Sequence, residues 1–165
     1  MIPRLLLALA LVSSVFAADN PNRSVTIRDW SITIPADTEE HKNDGPDFSV
    51  TYFIFPKLKA QFGIYEGGHP QEFASKQKNV TTKKEKIAGQ TVTWSIWKEQ
   101  ADGKEFLRAE LFLVCATTQF EPGTTYEEKF HIFLAAPDDQ SLITLQEVIR
   151  TLSKNEPGKA PVPEN

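Results

Sequence analysis

The sequence predicts an α+β domain, a mainly antiparallel sheet of about six strands. An amphipathic helix closes it at the C-terminal end, and one short helix follows the third long strand. Three observations carry this expectation. Apolar and polar residues alternate in repeated runs between residues 24 and 136, as in Val92-Thr93-Trp94-Ser95-Ile96, the period-2 pattern of strands with one buried face. Turn chemistry such as Asp102-Gly103 and Pro122-Gly123 separates the runs, which suits hairpins between sequential strands. After residue 137 the period changes. Leu142, Leu145, Val148, Ile149 and Leu152 recur at three- and four-residue spacing, one apolar stripe on a helix. Strands grouped in this way argue against repeated βαβ units.

Residues 1–17 read as a targeting segment. Arg4 supplies a positive start, residues 5–12 are apolar, and Val15 and Ala17 stand at the −3 and −1 positions of a cleavage site. The apolar run is shorter than the ~20 residues that span a bilayer, so cleavage after Ala17 or Ala18 is expected, with no stable membrane insertion afterwards. With no cysteine near the cut, thioether lipid attachment is excluded there. The expected organisation is a signal peptide at 1–17, a single domain at 18–155 and a disordered tail at 156–165, whose sequence EPGKAPVPEN has almost nothing to bury. The protein is expected to be exported, periplasmic or secreted, as in a bacterial envelope. A net charge of −4 without a basic stripe argues against nucleic acid as a partner. The one cysteine, Cys115, cannot form an internal disulfide. It ends the run Leu107, Ala109, Leu111, Leu113 on one strand face, where a small core thiol is the expected reading.

In chain order, residues 24–35 alternate on two phases that slip at Arg28-Asp29, which implies a bulge or a tight reversal. Residues 36–47 are polar and read as a loop. Their clustered acids lack the spacing of a calcium loop. Residues 48–55 form a strand, turned by Pro56-Lys57 into a second one that begins at Ala60. Residues 71–78 read as the short helix and residues 87–97 as the next strand. Asp102-Gly103 then turns the chain into residues 105–116. A loop is expected at 119–125, and the last strand at 127–136. Pro137-Asp138-Asp139 starts the C-terminal helix, with acids at the positive end of the helix dipole and with Arg150 and Lys154 in the last turn.

The candidate site lies where the strand beginning at Ala60 stops. Tyr65, Glu66, Gly67, Gly68 and His69 precede Pro70. The glycines suit a sharp corner, Pro70 suits a first helical turn, and His69 with Glu66 could bind an anion or serve as a base. His69 and His131 could meet if their strands neighbour one another, although no metal is expected. Gly63, Gly67 and Gly68 read as turn or bulge positions, or as places of close backbone approach. Phe53, Phe55, Tyr65, Trp97, Phe112 and Phe133 all fall off the expected core phase, which implies either a covered second sheet face or an apolar groove on it. Nucleophile-elbow, zincin, Cys-x-x-Cys, phosphate-loop and dinucleotide motifs are all missing from the sequence.

The opening WSITIP, the meander from Trp94 to Cys115 and the terminal TLQEVIRTLSK together resemble the Mog1/PsbP-like group of small sandwiches. That resemblance implies a binding or assembly factor rather than an enzyme, and no cofactor is expected. The expected function is therefore a non-catalytic module whose partner is a protein or a small apolar ligand. A carrier using the second sheet face is the alternative, and a hydrolase or metal protein at the His69 corner stands behind it.

Overall fold

The computed structural model describes residues 21–155. The targeting segment expected at 1–17 and the tail expected at 156–165 lie outside the described residues. The slip at Arg28-Asp29 is a tight reversal. It joins β1 (Asn22–Ile27) to β2 (Trp30–Pro35) as an antiparallel hairpin, with Arg28 at φ +55°.

Residues 36–47 correct the expected loop. They contain β3 (Glu39–Asp44), every residue exposed, which pairs with β4 (Phe48–Phe55) through a ladder from Glu39–Ile54 to Asp44–Ser49. A strand with no buried face has no alternation to read, so only the neighbouring edge makes it a strand. A 3₁₀ turn at Pro56–Leu58 then leads into β5 (Ala60–Gly67), paired with β4 as expected.

A second correction concerns residues 71–101. The expected helix at 71–78 is reduced to one 3₁₀ turn, Ala74–Lys76, and Pro70 opens no helix. The strand expected at 87–97 is β7 (Gln90–Ala101), and an unexpected strand, β6 (Thr81–Ile87), precedes it and pairs with it as a hairpin. Ala88 and Gly89, at φ +48° and +79°, make the kind of two-residue turn whose twist matches paired strands.

The next hairpin turns at Asp102-Gly103, as the sequence predicts. It leads through β8 (Lys104–Glu121) to β9 (Thr124–Ala136). Only Pro122-Gly123 separates these two strands. The loop expected at 119–125 is therefore mostly paired strand. The helix α1 (Asp139–Arg150) follows, and the Asp138 side chain accepts a hydrogen bond from Ser141 N at 2.8 Å to cap it. It ends earlier than expected. Lys154 falls in β10 (Ser153–Lys154), a short strand on β2.

Among the described residues, ten strands form two sheets, β1-β2-β10 and β3-β4-β5-β9-β8-β7-β6, with antiparallel neighbours throughout. The α+β class therefore holds, with more strands than the six expected. One face of the large sheet carries the core. Phe53, Phe62, Ile64, Trp94, Leu111, Leu113, Phe130 and Ile132 are buried there, together with all five apolar residues of the helix stripe. Phe53 and Phe55 belong to this face, where they pair with Phe62 and Ala60. They leave the set of off-phase aromatics. The small sheet and α1 cover the core. Trp30 packs edge-on against Phe130 and donates to the Cys115 carbonyl at 3.1 Å. Arg150 binds Glu85, which also accepts from Trp94. Cys115 is buried, as its phase implies, and burial pushes its thiol up. Among the described residues, no helix is long and apolar enough to cross a membrane.

Candidate functional site

The strand order creates the site. β5 and β6 are consecutive in sequence but have β9, β8 and β7 between them. Residues 68–80 must therefore cross the other face of the large sheet. This strap covers the aromatics that fall off the core phase. Tyr65 on β5, His131 and Phe133 on β9, Glu110 and Phe112 on β8, and Trp97 on β7 occupy facing ladder positions there.

Glu110 holds the strap down. Its carboxylate accepts hydrogen bonds from Phe73 N at 3.0 Å and Ala74 N at 2.7 Å, and it meets His131 Nε2 at 2.7 Å. Both side chains are only 2 % exposed. Burial alone would push the Glu110 carboxyl up. The His131 ring and the two backbone N–H groups outweigh it and hold the carboxyl below its ordinary value. Around this pair the rings close ranks. Phe112 stacks on His131 at 4.6 Å between centroids, and Phe73 lies 5.0 Å from His131 and 5.5 Å from Phe133. His131 is thus buried.

Two hollows flank Phe73 and Phe133, which line both. The larger, of about 380 Å³, is walled by Phe48, Val50, Tyr52, Tyr65, Phe73 and Phe133, with Asp47, His69, Gln71 and His131 as its polar lining. Phe48 and Tyr65 stack at 5.7 Å, while Tyr52 meets Phe133 edge-on at 5.9 Å. The smaller, of about 290 Å³, lies between Phe73, Trp97, Glu99 and Arg108. Trp97 is buried, and its Nε1 has no hydrogen-bond partner among the described residues.

The residues expected as a site divide between two faces. Strand alternation sends Tyr65 into the larger hollow, and exposed His69 lines it from the strap. Glu66 turns the opposite way and joins Gly67, Gly68, Arg28, Tyr126 and Glu128 around a polar recess of about 310 Å³. Burial raises the Glu66 carboxyl, with Arg28 Nε 4.0 Å away lowering it in part. Glu66 therefore does not act with His69. Among the described residues, no group of three or more metal-ligating side chains comes together.

Gly63 and Gly67 serve ring packing. Neither Gly67 nor Gly68 has a positive φ. A Cβ on Gly67 would lie 2.6 Å from Tyr65 Oη and 2.9 Å from Phe48 Cβ, and one on Gly63 would run into the Phe133 ring. Opposite effects are therefore expected from neighbouring substitutions. Gly67→Ala should cost about 1–3 kcal/mol by overpacking the Phe48–Tyr65 stack. Gly68→Ala, whose Cβ has nothing nearer than 3.9 Å, should be neutral or slightly stabilising. Urea midpoints of the two variants check this, and equal losses would contradict it.

Sequence reasoning missed Glu110 because an acid beside Arg108 reads as a wet strand face. The available signal was its phase, shared with Phe112 on its own strand and with His131 and Phe133 on another.

Fold and site together define an α+β antiparallel protein with a strapped, aromatic second face. No family model matches the sequence, and no curated protein matches it. The fold is similar to that of a crystal structure of a protein from Bacteroides thetaiotaomicron VPI-5482, with a TM-score of 0.50 and 18 % identity. The match covers 81 % of this chain and 47 % of that one, so the chain spans about half the length of that neighbour. The likeness concerns the fold alone.

Proposed function

We propose that this protein is a non-catalytic binding module whose ligand is a small, largely apolar molecule held in the larger hollow of the second sheet face. One observation carries the reading. Tyr52, Tyr65, Phe73 and Phe133 are each half-buried, and Phe48 is 37 % exposed, around one hollow. Partly open aromatic walls with few polar groups are the usual make-up of a small-molecule pocket. His131 supports binding over catalysis, because its Nε2 is engaged with Glu110 and Glu110 in turn anchors the strap. The resemblance to the Mog1/PsbP-like group favours the same role by analogy. Export to the periplasm or medium belongs to this reading and rests on residues 1–17.

A small-molecule seat fits the geometry better than a flat assembly surface, since the aromatic surface is concave. Titration with indole, followed by thermal shift and ligand-observed NMR, tests the reading. Indole should raise the melting temperature of the parent protein. Tyr65→Ser, which removes one wall, should reduce that rise. An unchanged melting temperature together with unperturbed indole signals would overturn the proposal.

A further inference from the structure

Building on the reading of the larger hollow as a ligand seat, we infer that the group it selects is a cation, an alkylated ammonium such as a trimethylammonium head. Aromatic rings carry negative charge on their faces, and a cation near several of them is stabilised without a full counter-ion. Five carbocyclic rings line this hollow, those of Phe48, Tyr52, Tyr65, Phe73 and Phe133, and Asp47 is the carboxylate among its lining residues. No lysine or arginine is among the described residues that line it. The hollow on the other side of Phe73 differs in this respect, since Arg108 and Glu99 lie within it and pair at 2.7 Å.

The imidazoles do not reverse the balance. His131 is paired with the Glu110 carboxylate, and His69 stands exposed on the strap. The volume of about 380 Å³ admits a trimethylammonium group with a short chain. An alkylated ammonium suits the site better than a primary amine. Its methyl groups shed water easily and spread the charge over an apolar surface that can touch several rings at once. The chain's net charge of −4 adds a general attraction for cations.

Choline and its neutral isostere 3,3-dimethylbutan-1-ol are the deciding probes, measured by isothermal titration and ligand-observed NMR on the whole protein at low and moderate salt. Choline should bind about 10-fold or more tightly than the alcohol, in keeping with a partly desolvated cation–π site. Asp47→Asn should weaken choline several-fold and the alcohol by clearly less, because the charge it removes attracts only the cation. Equal binding of the two probes would overturn the cation assignment while leaving the apolar seat standing. Binding of neither probe, if indole also fails to bind, would overturn both readings. If indole does bind, binding of neither probe overturns the cation assignment alone.

Discussion

Glu110→Ala is expected to destabilise the protein by about 3–5 kcal/mol, the range for breaking a buried pair. The substitution leaves His131 buried without its partner, and it orphans the N–H groups of Phe73 and Ala74, whose bonds hold the strap. Urea unfolding measures the loss. Limited proteolysis locates it, because trypsin should cut at Lys76 and Lys78 faster in the variant than in the parent. A midpoint shift with unchanged cleavage would mean that the strap is held by its aromatic contacts alone.

The same carboxyl sets a pH dependence whose sign follows from its lowered value. Folding favours the ionised form, so the stabilisation is complete above the ordinary carboxylate value of about 4.3. It is lost as pH falls through the lower value of the folded state. The stability gap between the parent and Glu110→Gln should be full at pH 7 and should narrow below about pH 4. A gap independent of pH would contradict a Glu110 carboxylate that is ionised in the folded state.

Leu145→Ala is expected to cost about 2–5 kcal/mol, through lost transfer energy and the cavity left behind. Leu145, on the inward face of α1, is fully buried in the core. Ile143, on the same helix and 44 % exposed, provides the contrast: Ile143→Ala should change stability by no more than about 0.5 kcal/mol. Similar midpoints for the two variants would place the helix off the sheet.

Much of the architecture was legible because burial on one face writes itself into the period. The helix stripe, the inward residues of β7, β8 and β9 and the Asp102-Gly103 turn each follow from local pattern. β3 was not legible, because its six exposed residues carry no alternation and depend on the edge of β4 for pairing. β6 was hidden for a similar reason. Its sequence TTKKEKI is mostly exposed, so Ala88-Gly89 did not stand out as a turn between two strands. The candidate site was legible in half. Tyr65 and His69 line the hollow, whereas Glu66 lies across the sheet, because adjacent residues of a strand point to opposite faces.

By itself the sequence determined the α+β class, the core face of β7, β8 and β9, the C-terminal helix and an excess of aromatics off the core phase, since all of these are periodic or compositional properties. Tertiary structure alone decided that residues 68–80 cross the second face, because only the strand order places three strands between β5 and β6. It also decided that Glu110 and His131 are buried partners. Their meeting depends on the register of β8 against β9 and on two backbone N–H groups of the strap, and neither leaves a trace in the local pattern of either strand.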